Sequence, residues 1–225
     1  MALPTPKAII FDWDNTLIDS WPIISEAYKT TLESFGKDLW SADQIKENVH
    51  RSVKDSFPDV FGQQNWQKAK DIYMNAFLEK HIEYLAILDK ADRTIESLRD
   101  NSDVYLAIVS NKQSNNLRKE IEYLGWQDNF VKIIGAGDAE EDKPSIAPVK
   151  MALADSGIEL NENVWFVGDS LSDLACAHNG NLTPIWFSTS IISQENLAKY
   201  PPAYIVKNHT EFYNLLKQEN ILNNI

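Results

Sequence analysis

Cysteine and glycine are scarce in this chain of 225 residues, which contains 1 cysteine and 8 glycines. The single cysteine, Cys176, excludes an intrachain disulfide framework and fits a reducing compartment, so we expect a cytoplasmic protein. Long hydrophobic runs are also missing, since the longest strongly apolar stretch, Val104–Val109, is far shorter than the ~20 residues of a membrane span. We expect no secretory signal, because the segment before the first predicted strand is short and rich in proline.

Basic residues are outnumbered, with 21 Lys and Arg against 33 Asp and Glu and a net charge of −12. This balance argues against a protein that binds nucleic acid or an anionic membrane. The chain is 44% hydrophobic and 11% aromatic, which excludes a disordered protein. At about 100–200 residues per domain, the length predicts one domain or one domain with a smaller insertion.

Short apolar segments alternate with helical patterns along most of the chain. Helical periodicity includes Leu117, Ile121 and Leu124, and a further helix is predicted from Ser145 to Gly157. Alternation of this kind predicts an α/β fold with a Rossmann-like parallel sheet covered on both faces. The predicted strands are Lys7–Asp12, Val104–Ser110, Val131–Gly135, Val164–Gly168, Pro184–Phe187 and, more weakly, Ala203–Val206.

One long interval, residues 19–88, breaks the alternation, because it shows helical periodicity and no convincing strand. It is too long for a simple crossover and indicates an inserted, all-helical cap. The core would then comprise residues 1–18 and 89–225. Because the insertion follows the first strand, we expect it above the carboxyl end of that strand, where open α/β sheets bind ligands.

Two carboxylates, Asp12 and Asp14, stand where the first strand ends. Residues two apart on a strand point the same way, so the two groups would repel each other as the site closes. Such a pair favours a bound divalent cation or a carboxyl group that holds a proton. The alternative is turn chemistry, in which the Asp, Asn and Thr side chains of residues 14–16 bond to nearby backbone groups.

Further polar residues follow other predicted strands or precede the helices between them. Each has an ordinary structural interpretation: Ser110 and Ser170 as helix caps, Lys143 as a solvated loop residue, and Asp173 as a first-turn carboxylate. Their shared position favours function, because a parallel sheet would bring Asp12, Ser110 and Asp169 to one edge. The remaining candidate is Asn111, which directly follows Ser110.

Together these residues resemble the four-motif set of the haloacid dehalogenase superfamily, in order and in strand placement. Trp13 and Asn15 replace a small apolar residue and a glycine often seen in the first motif. The helical insertion is similar to the small cap of the phosphoglycolate phosphatase-like branch. The motifs are Asp12-x-Asp14-x-Thr16, Ser110, Lys143-Pro144 and Gly168-Asp169-x-x-x-Asp173.

The resemblance implies a Mg²⁺-dependent phosphatase acting on a small phosphorylated metabolite such as phosphoglycolate. Asp12 would be the nucleophile that forms an aspartyl-phosphate, and Asp14 the general acid and base. Lys143 would neutralise the nucleophile and the transferring group, while Ser110 and the backbone amides around Asn111 would hold phosphoryl oxygens.

The same resemblance implies a metal site made of oxygen ligands, which suits Mg²⁺. Its ligands would be the side chains of Asp12 and Asp169 and the backbone carbonyl of Asp14. Asp173 would steady a metal-bound water or one of the ligands without itself binding the ion.

Substrate selectivity is expected in the cap, where Arg51 and Lys54 place two cations in a polar turn. Arg51 would bind a substrate carboxylate or a second phosphate, and the alternative is a solvated basic turn. Two other functions stay open: a phosphosugar mutase with the same motifs, and a phospho-aspartate signalling or binding protein without turnover. The protein is expected to be a monomer or a homodimer.

Overall fold

The computed structural model describes residues 3–41, 44–45 and 53–222. The chain forms two compact units: a core unit of Met1–Ile18 and Ile87–Ile225, and a helical unit of Asp19–Ala86. The sequence places the insertion at residues 19–88. The predicted α/β fold with an inserted helical segment is confirmed.

The core unit is built on a six-stranded parallel sheet with strand order β5-β4-β1-β6-β7-β8. A separate two-stranded sheet joins β2 and β3, which stand at the two ends of the helical insertion. The strands are β1 (Ala8–Phe11), β2 (Ile18–Asp19), β3 (Ala86–Ile87), β4 (Tyr105–Gln113), β5 (Lys132–Ala136), β6 (Val164–Gly168), β7 (Thr183–Phe187) and β8 (Tyr204–Val206).

Helices connect the strands of the core unit, as the alternating pattern predicts. They are Ala91–Asn101, Ser114–Tyr123, Ala147–Ala152, Leu171–Asn179, Gln194–Lys199 and His209–Gln218, with a short 3₁₀ helix at Gln127–Asn129. Every helix in the described part of the chain is too short or too polar to cross a bilayer.

The central strands are apolar on both faces because helices cover both sides of the sheet. On one face, Ile10 packs with Val109 and Phe166 in a single buried cluster. On the other, the ring of Phe11 meets Phe212 edge-on at 5.8 Å. Burial on both sides explains why β1 and β6 are continuous apolar runs rather than alternating ones.

Strand register brings the polar ends of three strands to one edge of the sheet. Phe11 of β1 is paired with Ile108 of β4 and with Val167 of β6. Within the next two residues, these strands reach Asp12, Ser110 and Asp169. The parallel arrangement therefore gathers side chains that are far apart in the sequence.

Two elements differ from their predicted ends by three residues or more. Strand β4 continues to Gln113 instead of ending at Ser110, because the chain pairs again with β5 after a register shift between Val109 and Gln113. The helix predicted for Ser145–Gly157 spans only Ala147–Ala152. Its apolar pattern continues into turns, where Asp155 and Gly157 adopt positive φ angles of 64° and 72°.

Among its described residues, the helical unit contains the helices Trp21–Ser34, Val53–Phe61 and Trp66–Lys80. An aromatic cluster holds it together, in which Tyr28, Phe57 and Tyr73 contact one another with ring centroids 5.2–5.6 Å apart. Edge-on ring pairs of this kind add to the stabilisation that burial of the rings supplies. The unit therefore has a hydrophobic core of its own.

His209 is buried against the loop that follows β1. Its Nε2 lies 2.7 Å from the carbonyl oxygen of Thr16, so Nε2 carries the proton and donates. Its Nδ1 has no hydrogen-bond partner among the described residues. Burial lowers the pKa of His209 to about 4, although the bond to Thr16 raises it in part. The imidazole is therefore neutral in the folded protein at neutral pH.

The first prediction concerns acid stability. The unfolded chain binds a proton at His209 near pH 6.5, whereas the folded chain does not until about pH 4. Stability present above pH 6.5 is therefore lost as the pH falls toward 4, by about 2 kcal/mol at pH 5. In urea unfolding at pH 7.5 and pH 5, His209→Gln should lack this loss, because a glutamine amide still donates to Thr16.

The matched control is His178→Gln, since His178 is exposed and bonds the carbonyl of Pro201. The control should keep the acid dependence of the parent chain. Equal acid dependence in the parent chain and in His209→Gln would refute the assignment of a neutral, buried imidazole.

Candidate active site

A buried lysine stands at the centre of the site. The Nζ of Lys143 donates to Oδ1 of Asp12 and to Oδ1 of Asp173, each at 2.7 Å. The side chain of Lys143 is only 2% exposed, and those of its partners are 9% and 1% exposed. A buried ammonium requires such partners, because an unpaired charge away from water is costly. The interpretation of Lys143 as a solvated loop residue is therefore wrong.

The charges of this cluster shift its pKa values. Burial raises the pKa of Asp12 to about 6, with Lys143 opposing the shift and the Asp173 carboxylate adding to it. Burial also raises the pKa of Asp169 well above its ordinary value, and the neighbouring Asp12 and Asp173 carboxylates raise it further. For Lys143, burial lowers the pKa, but the two carboxylates raise it more, so the ammonium stays charged.

Asp173 serves both as a helix cap and as a partner of Lys143. Its Oδ2 accepts from the backbone N and the hydroxyl of Ser170, at 2.9 and 2.6 Å, in a capping box that begins the helix Leu171–Asn179. Ser170 is thus a helix cap and Asp173 a first-turn carboxylate, as their structural interpretations expect, while Oδ1 of Asp173 binds Lys143. Gly168 permits this approach, because a Cβ there would lie 2.4 Å from Cγ of Asp173.

Asp169 completes a group of carboxylates that suits a cation. Ligand oxygens of Asp12, Asp169 and Asp173 all lie within 4.8 Å of one another, and all three residues are buried. One carboxylate oxygen of Asp169 accepts a short hydrogen bond from Ser190, which fixes its orientation. Three carboxylates face one ammonium, so a hard divalent ion fits both the excess charge and the oxygen donors.

The side chain of Asn111, an exposed residue at the end of the buried part of β4, binds the backbone of Lys143. Its Nδ2 donates to the carbonyl of Lys143, and its Oδ1 accepts from the backbone N of Lys143, both at 2.9 Å. Asn111 thus fixes the loop that carries the ammonium. The neighbouring Ser110 is buried, and its Oγ accepts from the backbone N of Lys112 at 3.2 Å.

Asp14 belongs to a second ion-pair group. Its Oδ1 accepts from Nζ of Lys112 at 2.9 Å, and the same ammonium lies 2.7 Å from Oε2 of Glu120. That Oε2 also accepts from Nε1 of Trp13 at 2.7 Å. Sequence reasoning assigned no role to Lys112 or Glu120. A lysine directly after the Ser-Asn pair was the one available signal, whereas Glu120 looks like any charged residue of a surface helix.

The structure places four of the predicted site residues around Lys143, namely Asp12, Asp169, Asp173 and Asn111, whereas Asp14 pairs with Lys112. Arg51 lies outside the described residues, as does the side chain of Lys54, whose backbone is part of the helix Val53–Phe61. Their contacts with substrate stay a prediction.

Comparison with known proteins gives a consistent result. Residues 9–187 match the model of the haloacid dehalogenase-like hydrolases. The chain is 26% identical to a phosphoglycolate phosphatase of Neisseria meningitidis, with 97% of each chain covered. It is also 26% identical to the pyrophosphatase PpaX of Oceanobacillus iheyensis, over 89% of this chain and 92% of that protein.

Solved structures share the fold. A haloacid dehalogenase-like family hydrolase from Streptococcus pneumoniae superposes with a TM-score of 0.80 at 22% identity, covering 93% of this chain and 97% of that one.

The second prediction tests the two hydrogen bonds between the Asn111 side chain and the backbone of Lys143. Asn111→Ala removes two partly buried hydrogen bonds to the backbone of Lys143, so it should lower the free energy of unfolding by about 1–3 kcal/mol. The control is Asn179→Ala, because Asn179 donates a single exposed bond to the carbonyl of Pro144, next to Lys143. Urea unfolding should show a clearly smaller loss for the control. Equal losses of unfolding free energy would mean that the hydrogen bonds between Asn111 and Lys143 stabilise the fold no more than the single bond of Asn179.

Proposed function

Because this chain belongs to the haloacid dehalogenase-like hydrolase family, we propose that it is a Mg²⁺-dependent phosphatase. It would hydrolyse a small phosphorylated metabolite through an aspartyl-phosphate on Asp12. The observation that carries the proposal is the pair of 2.7 Å bonds from Lys143 to Asp12 and Asp173. These bonds hold a buried carboxylate at the edge of the sheet beside a fixed positive charge.

Asp12 is suited to be the nucleophile. A carboxylate in this position attacks phosphorus in line and splits hydrolysis into two easier steps. Lys143 lies against one oxygen of Asp12 and offsets the repulsion between the nucleophile and an anionic substrate. The Ser110 hydroxyl and the backbone amide of Asn111 would bind the phosphoryl oxygens, since both residues lie at the same edge of the sheet.

In the first step, an oxygen of Asp12 bonds to phosphorus while the bond from phosphorus to the leaving oxygen breaks. Asp14 gives its proton to the leaving oxygen, which departs as an alcohol. In the second step, Asp14 takes a proton from water, and the water oxygen attacks phosphorus. The acyl-phosphate bond then breaks, which releases inorganic phosphate and restores the Asp12 carboxylate.

The metal would be held by the side chains of Asp12 and Asp169 and by the backbone carbonyl of Asp14. The three carboxylates of Asp12, Asp169 and Asp173 support this placement, because together they carry more negative charge than the Lys143 ammonium offsets. Mg²⁺ prefers oxygen ligands and retains several waters. When bound, it would neutralise charge on the carboxylates and the transferring phosphoryl group.

The relatives support the proposed substrate class. Relatives of comparable length include phosphoglycolate phosphatases and pyrophosphatases. Both substrates are small and carry a second anionic group beside the phosphoryl group that is transferred. We propose phosphoglycolate or a similar metabolite as the substrate, with Arg51 and Lys54 as candidate contacts to the second anionic group.

The third prediction tests the nucleophile. The parent chain should release phosphate from phosphoglycolate, pyrophosphate or an aryl phosphate, and Asp12→Asn should lower kcat by more than about 10³-fold. Asparagine has the same shape and still accepts from Lys143, so circular dichroism should show an intact fold. The control Asp100→Asn removes an exposed carboxylate paired with Arg99 and should keep full activity. Turnover by Asp12→Asn near the parent rate would exclude Asp12 as the nucleophile.

The fourth prediction tests the metal. Chelation with EDTA should lower the rate by about 10²-fold or more, and added Mg²⁺ should restore it. Because an ion that binds only the folded state stabilises it, Mg²⁺ should also raise the melting temperature. Asp169→Asn should abolish this rise, while Asp100→Asn should retain it. Activity that survives exhaustive chelation would contradict the metal's role.

A further inference from the structure

The proposed mechanism gives no role to the ion pair between Lys112 and Asp14. The Lys112 side chain is only 6% exposed, so its ammonium cannot rely on water for solvation. It has two carboxylate partners, Asp14 at 2.9 Å and Glu120 at 2.7 Å. Burying a long, flexible cation between two acids is costly unless each bond is kept. The arrangement therefore fixes all three side chains.

Glu120 is itself fixed from another direction. It is 1% exposed and accepts from the indole N–H of Trp13, the residue between Asp12 and Asp14. The Trp13 ring packs edge-on against Trp126, with centroids 6.0 Å apart. A rigid aromatic residue of the β1 loop thus anchors Glu120, which holds Lys112, which in turn holds Asp14.

We propose that Lys112 is a positioning residue. Its ammonium is held by Glu120, which Trp13 anchors, and it fixes the Asp14 carboxyl group in the orientation that proton transfer requires. The ammonium donates to Oδ1, so the proton that Asp14 transfers belongs on Oδ2. Fixing Oδ1 sets the rotation of the carboxyl group and thus the direction of that proton. This proposal rests on the proposed function, in which Asp14 is the general acid and base.

The role differs from that of Lys143. Lys143 neutralises the nucleophile and the group it attacks, so its loss should affect every substrate. Lys112 acts only through Asp14, so its loss should matter most where proton transfer limits the rate. Substrates with good leaving groups need little help from an acid, whereas alkyl phosphates need it fully.

The experiment compares two substrates in Lys112→Met, which keeps the length of the side chain and removes the charge. With phosphoglycolate, kcat should fall by about 10²-fold, since a displaced catalytic group costs that much, while KM changes little. With 2,4-dinitrophenyl phosphate, the enzyme should still form the aspartyl-phosphate. Rapid mixing should then show a burst of one dinitrophenolate per site, followed by slow turnover, because hydrolysis of the intermediate also needs Asp14.

Further variants separate positioning from folding. Lys112→Met leaves Glu120 buried without its cation, so Lys112→Met/Glu120→Gln should show the same substrate selectivity with better stability. Trp13→Phe keeps every charge but removes the hydrogen bond to Glu120. It should therefore show the same difference between the two substrates, but a smaller one. Lys112→Arg restores the charge and should recover part of the activity on phosphoglycolate. The matched control is Arg118→Met, which breaks an ion pair to Asp138 from the same helix as Glu120.

If, in the folded variants, the rate of the dinitrophenolate burst falls as much as kcat on phosphoglycolate, the proposal is overturned and Lys112 has a purely structural role. Full activity on both substrates would overturn it as well. The control should leave the ratio of the two rates unchanged. A parent chain inactive on every phosphate ester would instead refute the proposed function, which keeps the two failures distinct.

Discussion

The bond from a single buried ammonium to two carboxylates underlies the whole arrangement. Lys143 reaches Asp12 and Asp173 at 2.7 Å, and these residues come from the end of β1 and from the first turn of the helix Leu171–Asn179. Without that ammonium, the acids would face one another unscreened in a buried site, which favours protonation or unfolding. Positive charge at this point therefore makes the meeting of the acidic motifs possible.

Backbone constraints place that ammonium. Because β1, β4 and β6 are parallel and in register, their carboxyl ends lie at one edge of the sheet. The residues that follow these strands are therefore close together whatever the conformation of the loops. Asn111 then links the edge of β4 to the backbone on both sides of the Lys143 residue. A loop is otherwise the least constrained part of an α/β unit, and this pair of hydrogen bonds fixes the backbone of the lysine that contacts Asp12 and Asp173.

Sequence patterns predict the sheet and the acids at its edge, because an apolar run followed by Asp or Ser is a local signal. All six predicted strands are present, and the predicted bounds of β1 and β6 agree with the observed bounds to within a residue or two. The continuation of β4 to Gln113 escaped prediction, since it depends on pairing with β5 after a register shift. Glu120 escaped for a related reason: its partners Trp13 and Lys112 are identified by tertiary contact alone.

The two buried lysines, Lys143 and Lys112, have different electrostatic roles at one edge of the sheet. Around Lys143, three carboxylates leave an excess of negative charge that a divalent cation would balance, and in the proposed mechanism that cation would help to keep Asp12 ionised. Around Lys112, one ammonium binds both Asp14 and Glu120, and Glu120 is the more deeply buried of the two carboxylates. Glu120 thereby offsets the charge of a buried lysine, while the same lysine holds one oxygen of the more exposed Asp14. This second cluster fixes the orientation of Asp14, the proposed general acid and base.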